Sequence, residues 1–218
     1  MVGPFTRDRD LHGVNRRGRR RRLHRVDTMT DTLWLTDDAD ANALLSRSRT
    51  AVLVGALLDQ QVPMEWAFAG PYTIASRMGT DDVDVHAVAE SDLDRLEAVF
   101  ATKPAVHRYP SAMAKRVQAL CAYLVEHYDG DVNGIWRDVA SGDELRQRLE
   151  ALPGFGRQKA QVFTALLGKQ LGIAPQGWRE AAGGYGDTSV FRSIADVTGP
   201  ESLDKVRQTK KASKRRSR

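Results

Sequence analysis

The sequence predicts an all-α protein, and three observations carry that prediction. Apolar residues recur at helical spacing in several segments, helix-start signals precede two of them, and no run of strand length alternates apolar with polar residues. With 218 residues, 41% of them hydrophobic, the chain can bury a real core. It suits one globular domain, or two small helical lobes folded as a unit.

The elements follow in order. Residues 1–28 hold nine arginines against three aspartates, with no helical or strand period, and are expected to be a disordered basic arm. Met29 follows, where ordinary sequence begins, which suggests a mis-called start for the arm. Ala51–Leu58 is one apolar run, and Pro63–Met78 reads as a helix kinked at Gly70-Pro71. Ser91-Asp92-Leu93-Asp94 has the pattern of a capping box opening a helix to Phe100. From Pro110, the residues Met113, Val117, Leu120, Leu124 and Val125 fall on one face of a long helix that stops near Asp129-Gly130. Ser141-Gly142-Asp143-Glu144 is a second capping box, starting the helix of Leu145, Leu149 and Leu152. Val162, Ala165, Leu166 and Leu167 mark the next helix, Gly172–Gly186 reads as a glycine-rich loop, and Thr188–Val197 as a final helix. Residues 29–204 thus form the helical domain, with residues 205–218 as a basic C-terminal tail, of which Lys210–Arg218 reads as flexible.

Composition excludes several function classes. A single cysteine, Cys121 in an apolar stretch, allows neither an internal disulfide nor a four-cysteine zinc or iron–sulfur site. The five histidines show no metal-ligand spacing, so no metal is expected. No stretch approaches 18 apolar residues and the arginine-rich start lacks an apolar core, so neither a membrane span nor a secretory signal is expected. The expected setting is the cytoplasm, and the expected state a monomer. The formal charge of +5 conceals an asymmetry: residues 205–218 carry eight basic side chains and no acid, whereas residues 29–204 carry sixteen basic and twenty-five acidic ones. Basic ends suit a polyanion, but over the acidic middle any such footprint must be a local patch.

The strongest local signal is Leu152-Pro153-Gly154-Phe155-Gly156-Arg157-Gln158-Lys159-Ala160, a turn between two amphipathic helices with glycines two apart. Gly154 and Gly156 allow close backbone approach, the following helix offers free N–H groups and the positive end of its dipole, and Arg157 and Lys159 add charge. Read alone, this is equally an ordinary αα-hairpin.

The segment resembles the hairpin of the helix-hairpin-helix Gly-Pro-Asp superfamily of DNA glycosylases, which includes endonuclease III. Three further segments are similar to family segments and occur in the family's order. They are Leu57-Leu58-Asp59-Gln60-Gln61, the helix Ala114-Lys115-Arg116-Val117 through Asp129-Gly130, and Gly186-Asp187-Thr188-Ser189-Val190-Phe191-Arg192. The resemblance implies a two-lobed helical fold that holds duplex DNA across a cleft near the nucleoid. It implies excision of a damaged or mismatched base, starting base-excision repair, with Asp187 as the catalytic carboxylate. Gln60 and Gln61 would fill the gap left by a flipped base, and Leu152, Gly154, Phe155, Gly156, Arg157 and Lys159 would hold the DNA. Without the resemblance, Asp187 is most simply a helix N-cap and the two glutamines an exposed helix end.

Two departures bear on mechanism. Gln158 stands where bifunctional family members have a Schiff-base lysine, and Lys159, one residue on, is rotated about 100° away. A monofunctional enzyme without lyase activity is therefore expected. Gly172–Gly186 also lengthens the path from hairpin to aspartate, and Ser189 replaces the family histidine. Trp178 and Tyr185, in that insertion, are candidates to line a base pocket. No cofactor is expected beyond a monovalent cation on the hairpin carbonyls, which the resemblance suggests. The rival expectation is a helix-hairpin-helix protein that binds DNA without catalysis.

Overall fold

A computed structural model describes residues 32–216; the arginine-rich arm expected at 1–28 lies outside these residues. The described residues form helices joined by turns and contain no strand. Ten α-helices follow in order: α1 (Ala39–Arg47), α2 (Arg49–Leu58), α3 (Met64–Met78), α4 (Val85–Ala89), α5 (Leu93–Ala101), α6 (Pro110–Tyr128), α7 (Gly142–Glu150), α8 (Arg157–Gln170), α9 (Trp178–Ala181) and α10 (Pro200–Arg216). Short 3-10 turns occupy Val132–Ile135, Gly183–Tyr185 and Ile194–Asp196. No helix among the described residues is long and apolar enough to cross a membrane.

The apolar run Ala51–Leu58 becomes α2, and every one of those residues is buried. A helix apolar all round belongs in the middle of a protein, and α2 packs on α3, on α6 and on the turn at Val132–Ile135. The α2–α3 contact is close because Gly70 has no Cβ: one added there would stand 2.6 Å from Leu58 Cδ1. Helices α4 and α5 pack on α6, while α7, α8 and α9 pack on one another and α10 rests on the turn at Ile194–Asp196. One continuous apolar core joins these groups, running from Leu33 to Val206. Cys121 lies wholly within it, and burial pushes its thiol up to about 12.

Local chemistry explains where the sequence expectations shift. Asp92 rather than Ser91 caps α5, accepting from Arg95 N–H. Ser141 caps α7 as expected, but Glu144 reaches back to Ala140 N–H, one residue before the position a capping box requires. The expected helix Thr188–Val197 does not form. Asp187 closes a turn onto Ser189, and only Ile194–Asp196 coils, under a capping box of Ser193 and Asp196. Asp196 is committed there and to a buried ion pair with Lys169 (Nζ–Oδ1 2.5 Å). The glycine-rich stretch 172–186, expected as a loop, contains α9 and a 3-10 turn. Residues 210–216, expected within a flexible tail, continue α10, which ends at Arg216.

Candidate nucleic-acid interface

The hairpin between α7 and α8 is a tight turn in which Phe155 N–H donates to Leu152 C=O (3.0 Å). Leu152 and Phe155, named above as DNA contacts, are instead its buried anchors, with Phe155 edge-on to Phe163 at 6.0 Å. Their side chains are spent on packing, so only backbone and exposed neighbours can face a ligand. Gly154 sits at φ +78°, the left-handed region, and a Cβ there would stand 2.5 Å from Leu57 Cδ1. The protein itself thus demands glycine at 154.

Gly156 is different. Its φ of −101° suits any residue, and a Cβ would meet nothing within 4 Å. It is exposed, it forms the N-cap of α8, and no side chain caps that helix. Arg157 and Gln158, the first two residues of α8, are exposed beside it.

Lys159 turns inward. Its ammonium donates to the carbonyls of Ala56, Leu57 (3.2 Å) and Asp59 (3.1 Å), the C-terminal end of α2. This is a C-cap supplied from a hundred residues away, with the cation at the negative end of the helix dipole. The expected phosphate contact is therefore not what Lys159 makes here.

The two glutamines separate clearly. Gln60 is fixed: Nε2 donates to Leu57 C=O (2.7 Å), Oε1 accepts from Arg116 (2.5 Å), and its carbonyl accepts from His107 Nε2 (3.0 Å). His107 is fully buried, and its Nδ1 accepts from Tyr109 N–H (3.0 Å), so the ring is the neutral Nε2–H tautomer. Burial lowers its pKa. Gln61 projects from this braced loop, exposed and at φ +59°, a strained setting for a residue with a side chain.

These pieces border one cavity of about 860 Å³. Asp59, Gln60 and Gln61 form one side, Gln158, Lys159 and Phe163 of α8 another, and Tyr185, Arg192 and α10 complete the wall. Tyr185 accepts from Gln158 Nε2 at its hydroxyl (2.9 Å). Trp178 does not join it: its ring packs over Gly168 and its backbone against Gly142, beneath Arg179. The base-pocket expectation is corrected for Trp178, whereas Tyr185 does line the cavity.

Comparisons with family models, with characterised proteins and with solved structures returned no match.

Asp187 stands at the surface, outside the cavity lining, between Tyr185 and Arg192 in the chain. Its Oδ1 accepts from Ser189 Oγ (2.7 Å) and Ser189 N–H (2.8 Å), and these bonds, with Arg192 and Lys169 nearby, hold the carboxyl below its usual range. It is therefore an ionised carboxylate at neutral pH. Its backbone carbonyl accepts from Lys169 Nζ (2.6 Å), which ties the turn to α8. The described residues contain no cluster of three His, Cys, Asp or Glu suited to a metal, and at the hairpin Leu152 C=O is already taken by Phe155 N–H.

Sequence reasoning missed His107, Gln158 as a cavity residue, and α10 as its wall. Nothing in the local sequence marks this histidine as a brace, because the carbonyl it holds, that of Gln60, lies 47 residues away.

Proposed function

We propose that this protein is a monofunctional DNA N-glycosylase of two-lobed helix-hairpin-helix Gly-Pro-Asp type, removing a damaged or mismatched base from duplex DNA. One observation carries the reading. A rigid loop ending in Gln61 and the start of the hairpin helix border the same cavity, which has room for a nucleotide. Chemistry on a paired base requires its extrusion, and extrusion requires something to fill the gap and a pocket to receive the base. Gln61 has an unengaged amide to offer the widowed partner, whereas Gln60 is the strut beneath it. Gly156 and the uncapped N-terminus of α8 would take a phosphate, positioning the duplex without reading its sequence.

In the proposed reaction water adds to the anomeric carbon as the C–N bond breaks, and the base leaves with a proton. Positive charge develops on the sugar, and an ionised carboxylate stabilises it. Asp187 is assigned that role, which requires the turn at Asp187–Ser189 to meet the sugar when duplex is bound. The start of the hairpin helix presents no lysine nucleophile, since Gln158 occupies the position and Lys159 caps α2.

A second reading, a DNA-binding protein without catalysis, is favoured by the place of Asp187 outside the cavity lining. A panel of duplexes, each with one defined lesion, separates the two in single-turnover excision with binding followed independently. The Asn of Asp187→Asn still accepts from Ser189 N–H, so the turn survives while the charge goes. Excision lost with binding retained supports the glycosylase. Full activity in the variant moves the carboxylate role elsewhere. Duplex binding with no lesion cut by the wild type gives the second reading first place.

A further inference from the structure

Helix α10 changes character halfway along. Leu203 and Val206 are buried and seat it on the turn at Ile194–Asp196, and Ser202 Oγ accepts from Thr198 N–H and Gly199 N–H at its start. Beyond Val206 the sequence has no large apolar residue, and from Lys205 to Arg216 it places seven basic residues and no acid. By composition such a segment has no apolar face to bury. Only an outside polyanion turns that charge into binding energy.

The seat of the helix decides where the charge goes. Arg207 is committed to three carboxylates: Glu65 of α3 (2.5 Å), Asp204 of α10 itself (3.0 Å) and Asp37 in the segment before α1 (3.3 Å). It fastens α10 to the start of α3 and neutralises Glu65, one of the acids bordering the cavity. Lys211, one turn further on, also borders the cavity, is exposed, and has no ion pair among the described residues. Exposed Arg192 borders the same space.

We propose that the second half of α10 is a phosphate rail at the cavity mouth, with Lys211 contacting the phosphodiester of the strand whose nucleotide enters the cavity and Arg207 anchoring the helix. This rests on the duplex-binding reading above. It makes the basic C-terminal segment part of the site rather than a general attractor.

The test uses the full chain and its chemistry. Cys121 is buried and its thiol unreactive, so a cysteine from Lys211→Cys can be labelled selectively with an aryl azide. A matching Asp94→Cys label on exposed α5, which does not border the cavity, is the control. Each is irradiated on a duplex with one central uncleavable abasic analogue. The expected result is crosslinking from position 211 to the analogue-bearing strand, within about three nucleotides of the analogue and at least about tenfold above the control. Lys211→Ala should also reduce the slope of log affinity against log salt by about 0.9, the value of one phosphate contact. Crosslinks spread evenly along both strands or equal to the control, or an unchanged slope, would overturn the rail. Wild-type duplex binding is measured first. Its absence removes both readings, whereas binding without localised crosslinks removes only the rail.

Discussion

Replacing Lys159 with methionine tests whether this side chain serves the fold or the ligand. Methionine keeps an unbranched apolar stem of similar reach and deletes the ammonium, so the carbonyls of Ala56, Leu57 and Asp59 lose their shared donor. A hydrogen bond to a charged group contributes about 1.5–3 kcal/mol, and a cation at a partly buried helix C-terminus up to about 2 kcal/mol. The three bonds are not additive, because one ammonium was desolvated once to make them all. The expected loss is about 3 kcal/mol. At about 2–4 °C per kcal/mol for a chain of this size, thermal unfolding should fall by roughly 6–12 °C. The assay is calorimetry of wild type and Lys159→Met, with duplex titrations across a salt series well below either transition. If Lys159 is a C-cap, the salt slope stays unchanged. A transition lowered by less than about 2 °C, with a slope reduced by about 0.9, would refute the cap and restore Lys159 as a phosphate contact.

The other predictions rest on equally local features. Gly154→Val should destabilise by about 2–5 kcal/mol in urea unfolding, from the left-handed backbone and the clash with Leu57, whereas Gly156→Ala should unfold like wild type but bind every duplex more weakly. Because burial lowers the His107 pKa, the unfolded chain takes up that proton first. The stabilisation is present above about pH 6.5 and lost as pH falls below it, so thermal scans from pH 7 to 5 should lose more stability in wild type than in His107→Gln. Borohydride should trap no covalent adduct with any duplex the protein is found to cleave, and an adduct abolished by Lys159→Ala would contradict the geometry at α2.

The sequence was most informative where short-range chemistry decides. The apolar run of α2, the face of α6, the stop at Asp129-Gly130 and the hairpin turn were all readable, because period and left-handed turn residues act within a few positions. It was least informative where a side chain has a choice of distant partners. Lys159 reads as a cation beside a phosphate site until α2 is placed, since its acceptors are at least a hundred residues away. Leu152 and Phe155 belong to the hairpin pattern but serve its core side. Asp187 has the residue type of a helix cap, yet Ser189 offers it both a hydroxyl and an N–H, and that tight turn wins over a helix start.

The glycine-rich segment 172–186 is long enough either to block a cavity or to help build one. Its packing answers that question. Trp178 is clamped where Gly168 and Gly142 leave room for its ring and backbone, so the bulk of the segment is absorbed on the α7–α8 side, away from the space beside Gln61. What returns to the cavity is Tyr185, and it returns with its hydroxyl on Gln158. Gln158, at the start of the hairpin helix, is thus held by a residue that the segment 172–186 supplies. Gln158 directs one amide hydrogen to Tyr185 and keeps a carbonyl and a second N–H, a donor and acceptor pair suited to a base edge rather than to attack on a sugar. Gln158 and Tyr185 therefore act as one unit of the cavity wall, a polar contact at the start of α8 steadied by its hydrogen-bonded neighbour.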